Sequence, residues 1–113
     1  MPIQINETQA GAVSVLAPQG ALTGEDAALF RDAALEALRR RRGRLVVDAS
    51  GVPFADSAGL EALLDLTEAL AAGGRSLKLC MPNETLRSAL EVVGIDGLFE
   101  LYGDVNDAVR SFL

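Results

Sequence analysis

The residues of this chain that could do chemistry stand together at Asp56-Ser57-Ala58-Gly59, directly before a leucine-rich helical pattern. Asp and Ser are preferred helix N-caps, and a cap contributes about 1 kcal/mol, so capping is the plainest explanation of the pair. The Ser57 hydroxyl is also a potential nucleophile and a potential site of modification. Ala58 and Gly59 add little side-chain bulk, although glycine costs about 1 kcal/mol relative to alanine within a helix. We therefore expect a bare first turn that leaves the Ser57 hydroxyl open to a docking protein.

A nucleophilic serine needs a base, and the sequence offers none. The chain contains no histidine, which excludes a Ser-His-Asp triad within it. Its single lysine, Lys78, falls in a strand pattern, and no G-x-S-x-G elbow surrounds Ser57. The sequence therefore predicts a protein that is not an enzyme.

Metal and nucleotide sites have equally little support. The chain has one cysteine, Cys80, no histidine and no acidic cluster with calcium-loop spacing. It also lacks the G-x-x-x-x-G-K-[ST] loop that holds nucleotide phosphates. Cys80 lies in an apolar strand pattern, where cysteine is usually a small buried hydrophobe and not a reactive thiol. We expect neither a metal nor a cofactor.

A phosphate on Ser57 is the chemistry that the local pattern favours. A helix N-terminus attracts anions because its backbone N–H groups are unpaired and its dipole is positive there. A phosphoserine brings about −1.5 to −2 charges at neutral pH, and the neighbouring Asp56 would repel it. We expect the fold to tolerate this modification while the local surface changes strongly, as a switch requires.

The elements that must position Ser57 alternate between strands and helices. Strands are predicted at Ile3 and Ile5, Ala12–Ala17, Leu45–Val47, Ser76–Cys80 and Leu98–Tyr102. Helices are predicted after Thr23 or Gly24, Asp56, Asn83 and Asp104, the first three ending at Gly43, Gly73-Gly74 and Gly94. This alternation predicts an α/β fold with a mainly parallel sheet of about four or five strands and about four helices. In such sheets functional residues collect beyond the carboxyl ends of the strands, where the loop before Ser57 lies.

Apolar spacing predicts which face of each helix is buried. The expected stripes are Phe30, Ala34 and Leu38; Leu60, Leu63, Leu64, Thr67, Leu70 and Ala71; Leu86, Leu90 and Val93; and Val105, Ala108, Val109 and Phe112. The basic run Arg39–Arg42 is expected to be a solvated last turn that complements the helix dipole.

Length and charge limit the remaining functional classes to which this chain could belong. The 113 residues fit a single domain, 1–113. A formal charge of −6 argues against nonspecific binding to nucleic acid or anionic membranes, but it permits a basic protein partner. No apolar run approaches the roughly 20 residues of a membrane helix, and the first residues do not form a signal peptide. We expect a cytoplasmic protein without membrane insertion.

The stretch LVVDASGVPFADSAGLEALLDL resembles the signature of STAS domains, and specifically of bacterial anti-sigma-factor antagonists. The likeness covers nearly the whole chain. Within this stretch, the residues that match the family pattern are Leu45–Val47, Asp48-Ala49-Ser50, Val52, Phe54 and Asp56-Ser57-Ala58-Gly59-Leu60. Outside it, the matching residues are Gly20-Ala21-Leu22, Gly73-Gly74 and Val93-Gly94-Ile95.

This resemblance implies partner switching. An unphosphorylated antagonist of this kind binds an anti-sigma factor that is also a serine kinase, which frees the sigma factor. The kinase phosphorylates the serine that follows the Asp, the antagonist dissociates, and a serine phosphatase resets it. By position that serine is Ser57, and the implied partner-binding residues are Asp56, Ser57, Ala58, Gly59 and Thr23. ATP belongs to the kinase, so the resemblance implies no cofactor in this chain.

Two positions depart from the family pattern. Glu61 stands where a glycine often follows the leucine, and Thr23 stands where an acid often follows the Gly-x-Leu step. Both bear on the choice of partner. Other STAS domains serve in lipid-transport complexes, in stress-signalling scaffolds or as tails of anion transporters. The alternative hypothesis is an unphosphorylated STAS subunit of a lipid-transport or stress-signalling scaffold complex, in which Ser57 only caps a helix; the transporter tail is disfavoured, because the chain shows no membrane segment.

Overall fold

The computed structural model describes residues 2–113, which form five strands and four α-helices. The strands are β1 (Gln4–Ala10), β2 (Val13–Gln19), β3 (Leu45–Asp48), β4 (Leu77–Cys80) and β5 (Phe99–Tyr102). The helices are α1 (Gly24–Arg40), α2 (Ser57–Ala71), α3 (Glu84–Val92) and α4 (Val105–Arg110), and a 3-10 turn, Asp96–Leu98, precedes β5. The predicted α/β order is confirmed, and β4 and β5 each begin one residue later than predicted.

The five strands form one sheet in the order β1-β2-β3-β4-β5. β1 pairs antiparallel with β2, and every other neighbouring pair is parallel. The turn between β1 and β2 contains Gly11 at φ +63°, a left-handed conformation that glycine adopts without steric cost. The sheet is therefore mainly parallel, as predicted, with one antiparallel strand at its edge.

Right-handed crossovers decide which face each helix covers. The connections through α1, α2 and α3 each step to the next strand in the same direction, so all three helices lie on one face. Between them and the sheet lies the main core, which includes Leu16, Phe30, Val47, Leu66 and Leu79. Helix α4 covers the opposite face, where Ala108 joins Val46 and Cys80 in a smaller cluster. β3 is thus buried on both faces, as its continuous apolar run predicted.

The buried faces of α2 and α3 differ from the predicted stripes. α2 buries Gly59, Ala62, Leu63, Leu66, Thr67 and Leu70. Leu60 and Leu64 are only half-buried, Ala71 is exposed, and Val93 is 51% exposed at the end of α3. The segment is apolar around most of its circumference, so spacing alone fits several rotations of the helix. Packing of α2 against both α1 and the sheet selects one of them.

Candidate functional site

The loops that follow β2 and β3 are joined by backbone hydrogen bonds at the carboxyl edge of the sheet. The N–H of Leu22 donates to the carbonyl of Phe54 at 3.0 Å, and the N–H of Asp56 donates to the carbonyl of Leu22 at 3.2 Å. Leu22 and Ala55 form a parallel bridge at the same place. These bonds hold the starts of α1 and α2 side by side.

Asp56 is the N-cap of α2, and its carboxylate serves both helices. One oxygen, Oδ1, accepts from the N–H of Gly59 at 2.9 Å, which closes the first turn of α2. The other, Oδ2, accepts from the N–H of Gly24 at 3.2 Å, at the start of α1. The sequence left the cap open between Asp56 and Ser57, and the structure assigns it to Asp56.

The start of α1 depends on this contact because its own N-cap side chain does not cap. Thr23 occupies the N-cap position in an extended conformation, but its hydroxyl makes no capping hydrogen bond. Gly24 follows at φ +50°, a left-handed conformation that suits glycine. Thr23 is half-buried, and its contact with a partner stays a prediction.

Gly59 has a packing role that the sequence did not predict. It is buried in the first turn of α2, where a Cβ would lie 2.1 Å from the carbonyl oxygen of Leu22 and 2.9 Å from the Leu22 Cβ. Such distances are far below van der Waals contact. The absence of a side chain therefore lets the β2–α1 loop cross over α2. Leu22 covers Gly59 within this chain, and a contact between Gly59 and a partner stays a prediction.

Ser57 is the first helical residue of α2 and is exposed to solvent. Its hydroxyl has no hydrogen-bond partner among residues 2–113, since Asp56 takes the capping role. Ala58, which follows it, is half-buried. The structure thus confirms that Ser57 lies at the N-terminus of the second helix, with a hydroxyl that another molecule can reach.

Asn83 steadies the loop that carries Ser57. Its Oδ1 accepts from the N–H of Leu86 at 2.8 Å and caps α3, as predicted. Its amide Nδ2 also donates to the carbonyls of Val52 (3.3 Å) and Pro53 (3.0 Å) in the β3–α2 loop. The sequence did not predict this second role, because a contact across about thirty residues has no signature in the spacing of neighbouring residues.

An open apolar groove of about 260 Å³ begins at Ser57. We call it the Ser57 groove; its lining residues are Ser57, Leu60, Glu61, Leu64, Val93 and Ile95. It runs between α2 and the turn after α3. The leucines and the valine that the predicted stripes placed in the core instead form this surface.

Other groups at this edge of the sheet are engaged structurally. Asp48 accepts from the N–H of Ser50 at 3.0 Å and so shapes the start of its loop. Burial, and next the charges of Asp48 and Asp104, raise the pKa of the Cys80 thiol to about 12, which suppresses its reactivity. Within residues 2–113, three or more His, Cys, Asp or Glu side chains do not gather at any point where they could bind a metal. In the same residues no helix is long and apolar enough to span a membrane.

Comparison with known proteins places this geometry in context. The family model described as "Mlab, STAS domain" matches residues 5–102. A comparison with curated proteins finds no significant match.

Several solved structures are similar along nearly their whole length. A putative anti-sigma factor antagonist from Thermotoga maritima is 21% identical with a TM-score of 0.85, covering 95% of this chain and 92% of that one. An anti-sigma factor antagonist from Mycobacterium paratuberculosis is 25% identical with a TM-score of 0.80, covering 96% and 92%. The phosphorylated form of the Bacillus cell fate determinant SpoIIAA is 18% identical with a TM-score of 0.71, covering 98% and 99%.

The fold also occurs inside a much larger protein. Part of the murine anion transporter Slc26a9 is 19% identical with a TM-score of 0.71, covering 92% of this chain but 18% of that one.

Proposed function

This chain belongs to the STAS domain family, and from that membership we propose that it is an anti-sigma-factor antagonist in a partner-switching pathway. Unphosphorylated, it binds an anti-sigma factor that is also a serine kinase. Phosphorylation of Ser57 releases it, and a serine phosphatase restores the binding form. The proposed location is the cytoplasm, where such a kinase has access to ATP.

The observation that carries this proposal is the exposed Ser57 hydroxyl, which has no partner within the described residues. A kinase must bring its phosphoryl donor to this oxygen, so the hydroxyl must be neither buried nor consumed by capping. Asp56 performs the capping and leaves the hydroxyl available. The similar protein SpoIIAA adds support, because its structure has been solved in a phosphorylated form.

The Ser57 groove is the docking surface for the unphosphorylated state in this proposal. Leu60 and Leu64 expose apolar surface directly beside the hydroxyl, and Val93 and Ile95 continue it. A partner that covers this groove removes apolar area from water, which favours association. The hydroxyl then lies at the margin of the contact, within reach of the kinase.

Phosphoryl transfer reverses the preference for this contact. The Ser57 oxygen forms a bond to the γ-phosphorus of ATP as the bond to ADP breaks, and the hydroxyl proton passes to a base of the kinase. The product places about −1.5 to −2 charges beside the Asp56 carboxylate and the apolar groove. Burying that charge in the complex costs desolvation and like-charge repulsion, so the complex dissociates. The phosphatase hydrolyses the O–P bond with water and releases inorganic phosphate.

A structural STAS subunit is the second candidate, and the similarity to part of Slc26a9 favours it. In that case Ser57 is an unmodified surface residue. Asp56 and Gly59 account for the helix start without it.

Mass spectrometry of the protein after incubation with the anti-sigma kinase and ATP separates the two candidates. We expect one phosphate, on Ser57, and none on the Ser57→Ala variant. Modification at Ser50 or Thr67 with Ser57 untouched would contradict the proposed switch. A binding-competent partner that never phosphorylates Ser57 would favour the structural subunit.

A further inference from the structure

A second groove lies at the opposite end of α2 from Ser57. Its apolar floor is formed by Leu35, Leu38 and Leu70, and arginines line its rim. On α2 the first groove reaches Leu64 and the second begins at Ala69, so at a rise of 1.5 Å per residue about 7.5 Å of helix separates them. We call this the arginine groove; the rim arginines are Arg39, Arg42 and Arg75.

Positive charge is concentrated around the arginine groove, although the chain as a whole is acidic. Six of the ten Lys and Arg residues are Arg39, Arg40, Arg41, Arg42, Arg44 and Arg75, although the formal net charge is −6. Arg39 pairs with Glu36 and Arg40 pairs with Glu7. Arg42 and Arg75 are exposed and form no ion pair within residues 2–113. Two guanidinium groups on the rim are therefore available.

The rim arginines do not cap the helices with their side chains. Backbone N–H groups reach some of the last-turn carbonyls: Gly43 donates to Leu38 at 2.9 Å, and Arg75 donates through its backbone to Leu70 at 2.9 Å. Within residues 2–113 the guanidinium groups of Arg42 and Arg75 donate to none of the last-turn carbonyls, so they stay available to a ligand.

Two consecutive left-handed residues, Arg42 and Gly43, shape the chain beside the groove. Arg42 adopts φ +53°, a left-handed conformation that costs a non-glycine residue about 1 kcal/mol or more. Gly43 follows at φ +84°, and a Cβ there would lie 3.0 Å from Cδ of Arg75. Glycine thus leaves room for the stem of Arg75 to cross the chain beside the groove.

We propose that the arginine groove binds a soluble single-chain anionic amphiphile, an acyl carboxylate. The planar guanidinium fork of Arg42 or Arg75 matches a carboxylate with two parallel hydrogen bonds. The leucine floor takes the acyl chain, and the groove volume of about 330 Å³ suits one small ligand. A protein interface takes about 20–30 residues on each side, whereas nine residues line this groove.

Sodium decanoate, kept below its micelle concentration, is the probe for an NMR titration of methyl-labelled protein. The expected result is saturable shifts of the Leu35, Leu38 and Leu70 methyls. Decyltrimethylammonium, which has the same chain length and the opposite charge, should bind at least about tenfold more weakly. Equal binding of the two probes, or no saturable shift, would overturn the proposal.

Charge-reversal variants locate the binding. The pair Arg42→Glu and Arg75→Glu should weaken decanoate binding at least about tenfold. The pair Arg87→Glu and Arg110→Glu changes the net charge equally from exposed positions outside this groove, and it should change binding less than about twofold. Ala69→Trp, from an exposed lining position, should block the groove without altering charge.

Two further outcomes count against the proposal. Shifts confined to Leu60 and Leu64 would move the ligand to the Ser57 groove. Binding to phosphatidylglycerol vesicles without binding to free decanoate would identify a membrane headgroup as the ligand. Neither result depends on phosphorylation of Ser57, so this test and the test of the switch fail independently.

Discussion

The carboxylate of Asp56 accepts a hydrogen bond from the backbone N–H of Gly24 at 3.2 Å, across 32 residues of sequence. The same carboxylate caps α2 through Gly59. One side chain thereby fixes the relative position of two helix starts and of the two loops that precede them. Ser57, the proposed phosphorylation site, is the next residue, so its location depends on this contact.

Replacing Asp56 should destabilise the protein more than the loss of an ordinary cap. Asp56→Ala removes two hydrogen bonds to backbone N–H groups, and we expect the free energy of unfolding to fall by about 2 kcal/mol. Asp104→Ala is the matched control, because Asp104 caps α4 with one bond, and it should cost about 1 kcal/mol. Urea denaturation measures both. Equal losses for the two variants would mean that the bond to Gly24 contributes nothing.

Gly59→Ala tests the close crossing of Leu22 over α2. The added Cβ meets backbone, which cannot move aside as a flexible side chain can, so we expect a loss of about 1–3 kcal/mol. Gly97→Ala is the control, because a Cβ at Gly97 meets nothing within 4 Å. Thermal melts of both variants decide this. A Gly59→Ala variant as stable as the control would show that the loop shifts freely.

Substitutions at Ser57 separate folding from switching. Since Asp56 is the cap, Ser57→Ala should change the free energy of unfolding by less than about 0.5 kcal/mol and should keep partner affinity while blocking release. Ser57→Asp should weaken binding about 5- to 150-fold, because it adds part of the phosphate charge beside Asp56. Calorimetric titration against the kinase gives both affinities. Unchanged binding by a folded Ser57→Asp variant would favour the structural-subunit hypothesis.

The ion pair between Lys78 and Glu100 makes stability depend on acid pH. The hydrogen bond from Lys78 (3.1 Å) holds the pKa of Glu100 below its ordinary value; partial burial opposes this, and the Tyr102 hydroxyl adds to it. A lowered pKa stabilises the fold above the unfolded-state value of about 4.3, and this stabilisation is lost as pH falls through the folded-state pKa. Because the Glu100 side chain is 45% exposed, solvent screens the pair, and Glu100→Gln should cost about 0.5 kcal/mol near neutrality and less in acid.

Urea denaturation from about pH 7 down to about pH 3 measures this difference. The double variant Lys78→Met with Glu100→Gln is the control, since it also removes the lysine charge, whose side chain is only 10% exposed. It should be more stable than Glu100→Gln alone. A gap between wild type and Glu100→Gln that stays constant with pH would contradict the assignment.

Cys80 should report the docking of α4. Its pKa of about 12 leaves almost no thiolate in the folded protein at pH 8, and the side chain is fully buried. We expect labelling by a disulfide reagent only as fast as the protein opens. A raised thiol pKa also means that stability falls as pH rises above about 8.5, the value in the unfolded chain. Cys80→Ala should remove this alkaline dependence. Rapid labelling without unfolding would show that α4 detaches locally.

The element order and the position of Ser57 followed from the sequence because they depend on local chemistry. Apolar runs, glycines after helices and capping residues act within a few positions of one another, so they can be read along the chain. Asn83 as a cap and Ser57 at the start of α2 are of this kind. The STAS resemblance of the stretch around Ser57 agreed with the family match.

Tertiary structure alone decided the features that depend on distant parts of the chain. Gly59 owes its identity to Leu22, and Asp56 serves Gly24 as well as its own helix. The rotation of α2, which turns Leu60 and Leu64 toward a surface groove, depends on α1. When a helix is apolar on most sides, its sequence does not determine which side is buried, and the packing of neighbouring elements decides it. Contacts between residues far apart in sequence produce no periodic pattern in that sequence, and only the folded chain brings these residues together.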